Sequence, residues 1–106
     1  MRVLLDNCIP ERFGRLLTEH QVDGAVSLGW ASLPDGQLLD VMDGQYDVLV
    51  TVDKSIPQQQ NFAGRSFGVV VLRAYSNRLS DLSRLAPRLL RELKSLKPGD
   101  VRLIGR

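Results

Sequence analysis

With 106 residues, 43% hydrophobic and 25% charged, the chain can build one hydrophobic core but not two, and its composition excludes a disordered or fibrous protein. Its longest apolar runs, such as residues 69–72, are too short to span a bilayer, and the opening MRVLLDNC lacks the apolar stretch of a secretory signal. The net charge of +2 hides a division: residues 1–72 hold five Lys/Arg against nine Asp/Glu, whereas residues 73–106 hold nine against three, which points to a polyanionic or acidic partner or to a solvated basic helix face.

Residues 2–5 (RVLL) form a short apolar run closed by Asp6 and Asn7, and they predict the first strand. Cys8, the only cysteine, excludes an internal disulfide and predicts a cytoplasmic protein. Pro10 suits the first turn of a helix, where its missing N–H costs nothing, and Phe13, Leu16 and Leu17 supply an apolar stripe. A weaker pattern over residues 22–28 predicts a second strand ending near Gly29. Pro34 and Asp35 open a second helix with Leu38, Leu39 and Met42 on one face and Gly44 at its stop.

Residues 47–52 (DVLVTV) and 67–72 (FGVVVL) are continuous apolar runs, as expected of strands covered on both faces. From residue 79 to 96 a helical pattern places Leu82, Leu85, Ala86, Leu89, Leu93 and Leu96 on one face. Arg84, Arg88, Arg91 and Lys94 occupy the other face, and Pro87 predicts a kink or a restart. Lys97-Pro98-Gly99 ends the helix, and residues 101–104 predict a last strand. Strand and helix alternate without repeats or linkers. The expected fold is α/β: one domain over residues 1–106, with a parallel sheet of four to five strands between helices, joined by right-handed crossovers.

Such sheets bind ligands beyond the C-terminal ends of their strands, where the chain order reverses. Asp6 follows strand one, Asp53 follows strand three, and Asp35 opens a helix on the same rim. Three carboxylates gathered there repel one another, and a divalent cation removes the penalty. An all-oxygen site completed by water suits Mg²⁺ or Mn²⁺, which would activate water for phosphodiester hydrolysis with no protein nucleophile. Each aspartate also has a plain role open to it, as a helix cap or turn residue. Asp40, Asp43 and Asp47 are expected on a solvated face.

Beside this rim, Lys54 and the tract Gln58, Gln59, Gln60 and Asn61 are candidates for RNA contact, or a polar loop holding its own backbone. Trp30 is expected to pack rather than stack on a base. Cys8 precedes a predicted helix N-terminus, which would favour thiolate, but His20 lies at the far end of that helix and forms no obvious pair with it. No zinc spacing, Walker loop or G-x-G-x-x-G is present.

The segments MRVLLDNCIP, LGWASLPDGQLLDVMDGQYDVLVTVDKSIPQQQN and GVVVL, in that order and spacing, resemble the compact PIN-like domains, minimal relatives of bacterial PIN-domain toxins. The resemblance covers nearly the whole chain. It implies a three-layer PIN-like fold and a Mg²⁺- or Mn²⁺-dependent endoribonuclease with Asp6, Asp35 and Asp53 as catalytic metal ligands and Thr51 opening the T-x-D turn. It implies an RNA substrate and a small antitoxin partner, and leaves a homodimer open. Asn7, Gln37 and Ser55 stand where similar sequences often carry further acids, which puts a second metal in doubt. Two other readings stay open: a partner-binding PIN-like scaffold without catalysis, and a receiver-like domain phosphorylated on Asp53, although this chain ends VRLIGR without the lysine such domains need.

Overall fold

A computed structural model describes residues 1–105. Five strands, β1 (Arg2–Leu5), β2 (Gln21–Gly24), β3 (Val48–Thr51), β4 (Gly68–Arg73) and β5 (Val101–Gly105), form one sheet in the order β2-β1-β3-β4-β5. Every neighbouring pair is parallel, with Val3 opposite Val48, Val50 opposite Val70 and Val71 opposite Leu103. This is the expected α/β architecture. The order reverses between β1 and β3, so the rim beyond the C-terminal ends of those two strands is the topological switch point.

Alternate side chains of each central strand go to opposite layers, as the pleat requires. Val3, Leu5, Val48, Val50, Val70 and Leu72 join one core with Phe13 and with Leu82, Leu89 and Leu93 of the C-terminal helices. Leu4, Leu49, Val69 and Val71 join the other, with Leu38, Leu39 and Met42 of helix α1 (Asp35–Met42) and with Phe62 and Phe67. Burial on both faces is why these strands read as unbroken apolar runs. Among the described residues no helix is long and apolar enough to cross a membrane.

Two elements differ from expectation, and a third takes one of the options left open. The first helix is a 3₁₀ helix, Glu11–Leu16, which buries Phe13, while Leu16 stays 39% exposed beside a surface cavity with Arg12 and Leu79. Strand β2 runs earlier than the apolar pattern suggests and stops at Gly24, leaving Val26 and Leu28 exposed in a turn. The cause is Glu11, whose carboxylate accepts the Ser27 backbone N–H at 2.8 Å and the Ser27 hydroxyl. Its side chain passes so close to Gly24 that a Cβ there would collide with it. Third, the long C-terminal pattern is divided into α3 (Leu79–Ser83) and α4 (Ala86–Leu93), with a one-turn α2 (Ile56–Gln59) earlier in the chain. Pro87 sits in the first turn of α4, so the restart is the option taken.

Candidate functional site

The candidate site is the rim formed at the exits of β1 and β3. Asp6, only 7% exposed, directly follows β1, and its backbone N–H still donates to Val50 of β3 at 2.9 Å. Its Oδ2 accepts the hydroxyl of the fully buried Thr51 at 2.7 Å, and its Oδ1 accepts the Asn7 backbone N–H at 2.9 Å. Thr51 Oγ1 in turn accepts the backbone N–H of Asp53 at 3.0 Å. One hydroxyl thus fixes the first carboxylate and shapes the turn that carries the second. Thr51 was legible as the start of that turn, but its bond to Asp6 was not.

Asp53 is half-buried, and its Oδ1 accepts both the N–H and the hydroxyl of Ser55, at 2.9 and 2.6 Å. That is a side-chain turn that launches α2, so Asp53 partly fulfils its plain structural role. Asp35 does not. Pro34 occupies the cap position of α1 and Asp35 the first helical residue, and no cap hydrogen bond forms. Among the described residues its carboxylate has neither a hydrogen-bond donor nor an ion-pair partner.

Burial pushes the Asp35 carboxyl above its ordinary value, and the negative charges of Asp53 and then Asp6 push it further. The three aspartates therefore lie in one electrostatic field. As they stand, however, no three His, Cys, Asp or Glu side chains among the described residues are grouped closely enough to hold an ion together. The donor set still fits Mg²⁺ or Mn²⁺ in kind. Mg²⁺ takes one or two carboxylates and completes its sphere with water and substrate oxygens, so a closed three-acid cage is not required. The mutual repulsion felt by Asp35 is also what a cation would relieve.

Two asparagines brace the rim. Asn7 donates its side-chain amide to the Ala31 carbonyl at 3.1 Å, tying the β1 exit to the loop that leads to Asp35. An ionised acid at position 7 could not donate that bond, which gives Asn7 a physical reason to be there. Asn77 donates to the Cys8 carbonyl at 3.1 Å and ties in the loop after β4. No motif in the sequence singles out Asn77, Arg73 or Ser76. Their position just beyond a buried strand on the same rim was the available signal.

The remaining candidates sort clearly. Lys54, Gln58 and Gln59 are exposed, and Gln60 is half-buried as the last turn of α2 closes. Gln58 and Gln59 thus belong to a helix rather than a loop. Trp30 packs edge-on against Tyr46 with ring centroids 6.1 Å apart, as a structural residue would. The thiol of Cys8 is pushed up, chiefly by burial and further by the charge of Asp6, so the expected thiolate character is reversed. Only a 3₁₀ helix follows it, and His20 lies just before the N-terminal end of β2, at the opposite end of the parallel strands from Cys8, so no Cys–His pair forms.

Of the acids expected on a solvated face, Asp40 and Asp47 are exposed and Asp43 is half-buried, and all three also have partners. Arg65 pairs with Asp40 at 2.7 Å and Asp43 at 3.2 Å, and Asp47 accepts the Arg2 backbone N–H at 2.7 Å. The chain matches no protein-family model, no curated protein and no solved structure.

Proposed function

We propose that this domain is a metal-dependent endoribonuclease of the compact PIN-like kind. The reading is carried by Asp35, a half-buried carboxylate at the first residue of α1 with neither a hydrogen-bond donor nor an ion-pair partner among the described residues, whose proton affinity burial and then Asp53 and Asp6 raise. A carboxylate placed for architecture alone is normally compensated, and one left uncompensated beside two others at a strand-end rim is a candidate functional group. Asp6, Asp35 and Asp53 would hold Mg²⁺ or Mn²⁺, which when bound supplies Lewis acidity and an activated water for phosphodiester hydrolysis.

The chain's own residues then have definite tasks. Thr51 holds Asp6 in one orientation through its 2.7 Å hydrogen bond, leaving the remaining lone pairs of that carboxylate for a ligand. Ser55 does the same for one oxygen of Asp53, whose Oδ2 accepts no hydrogen bond from a described residue. Lys54, Gln59 and Gln60 flank this turn as RNA contacts. On this reading the protein works in the cytoplasm, and an antitoxin covers the rim when cleavage must be held off.

The test compares cleavage of single-stranded RNA by wild type and Asp53→Asn, each with Mn²⁺ and with chelator. Loss of a positioning partner of a metal ligand typically costs ~10–100-fold, so loss of a ligand should cost at least about a hundredfold. Equal cleavage in all four conditions contradicts the proposal. The strand order also favours a receiver-like reading in which Asp53 accepts a phosphoryl group. An acid-labile phosphoryl adduct on Asp53 after incubation with acetyl phosphate would establish that reading instead.

A further inference from the structure

We infer that Lys54 and Arg73, continued by Tyr75 and Arg84, form a groove that binds the backbone of single-stranded RNA alongside the acidic rim, an inference that rests on the nuclease reading for what lies at the end of that groove. Strand β4 ends at Arg73, two residues beyond the Val71 that pairs with Thr51. From there Arg73 borders three cavities. One, of about 340 Å³, is shared with Val52, Lys54 and Asn77. A second, of about 380 Å³, is shared with Lys54, Pro57 and Gln58. The third, of about 280 Å³, is shared with Tyr75, Asp81 and Arg84. A single guanidinium side chain therefore borders all three cavities, and the first of them reaches Val52, the residue between Thr51 and Asp53.

The charge pattern around these cavities calls for an anionic ligand. Lys54, Arg73 and Arg84 are exposed and form no ion pair with a described residue, whereas Arg65 and Arg102 are each paired with two acids. Asp81, the carboxylate lining the third cavity, accepts the Ser76 hydroxyl at 2.7 Å.

Two features favour a single-stranded nucleic acid over an acidic peptide. Tyr75 is 78% exposed at the far end, where an aromatic residue can stack on a base. The Gln58 amide lines the second cavity, where it can meet phosphate or base edges. A cationic track interleaved with an aromatic face is the usual design for holding an unpaired strand. The same placement accounts for part of the positive charge concentrated in residues 73–106.

The experiment measures binding of a fluorescein-labelled single-stranded RNA of about a dozen nucleotides. It uses fluorescence anisotropy in the Asp53→Asn background with chelator present, so that cleavage cannot intervene. Adding Lys54→Gln and Arg73→Gln together is expected to weaken binding about tenfold or more. It should also flatten the slope of log affinity against log salt by about 1.4, because each single-strand phosphate that is no longer neutralised accounts for ~0.7. Tyr75→Ser should weaken binding without changing that slope.

Unchanged affinity and slope in the Lys54/Arg73 variant overturn the groove. A larger loss from Arg88→Gln with Arg91→Gln also overturns it, because it would move the interface to the outer face of α4. Equal affinity for a duplex of the same length overturns the single-strand assignment. The nuclease reading fails separately: wild type that binds through Lys54 and Arg73 but never cleaves keeps the groove and loses the catalytic site.

Discussion

Asp35 and Asp43 stand at opposite ends of the same helix, and helix electrostatics alone would rank them wrongly. Asp35 opens α1, where the helix dipole favours negative charge, while Asp43 closes it, where the dipole opposes negative charge. Yet the Asp43 carboxyl lies below its ordinary range because the Ser66 hydroxyl and backbone N–H bind it and Arg65 pairs with it. Asp35 lies above its range because burial and two neighbouring carboxylates outweigh the dipole. Tertiary surroundings decide both signs. One end of the helix carries a carboxylate with partners and the other a carboxylate without any among the described residues, and that difference separates architecture from candidate chemistry.

The largest effect should come from Thr51→Val, which keeps the shape of a fully buried side chain but removes the hydroxyl that serves Asp6 and the Asp53 backbone. Stranding a buried acceptor costs ~1–3 kcal/mol, so the urea midpoint of unfolding should fall correspondingly. No change would mean that the rim is not organised through this hydroxyl.

Neutralising the two helix ends in turn should shift stability in opposite directions. The depressed Asp43 contributes stability above its ordinary value of 3.8, which is lost as pH falls through its lower folded value. Asp43→Asn should therefore destabilise at neutral pH, by less than Thr51→Val, and the difference should vanish in acid. For the raised Asp35 the folded state holds its proton more tightly than the unfolded state does. Its ionised form opposes folding above the folded value, and that penalty is absent below 3.8. Asp35→Asn should stabilise the metal-free protein at neutral pH and lose that advantage in acid. Thermal melts across the pH range check both signs, and matching signs would erase the contrast between the two ends.

A smaller effect concerns Cys8. With its thiol pushed up by burial and by Asp6, it should alkylate more slowly at neutral pH than an exposed cysteine, and Asp6→Asn should speed it modestly. Iodoacetamide kinetics followed by mass spectrometry read this out.

Much of the fold was legible because β3 and β4 are buried on both faces and carry the unbroken apolar runs that such burial demands. The position of β2 was not, because its end is set by Glu11 reaching across to Ser27, sixteen residues away, and no local pattern encodes that contact. The three aspartates could be placed on one rim by topology alone. Their partners could not: Thr51 meets Asp6 across 45 residues and Arg65 meets Asp43 across 22. The reversed behaviour of Cys8 has the same origin, since a cap argument sees the neighbouring helix but not the acid and the core that surround the sulfur.

The most direct test of the Asp35 end of α1 is Mn²⁺ binding measured by isothermal titration calorimetry at neutral pH. Wild type should bind saturably, Asp53→Asn and Asp35→Asn at least about tenfold more weakly, and Asp43→Asn as well as wild type. Heats indistinguishable from buffer for wild type, or an equal loss in Asp43→Asn, would contradict this.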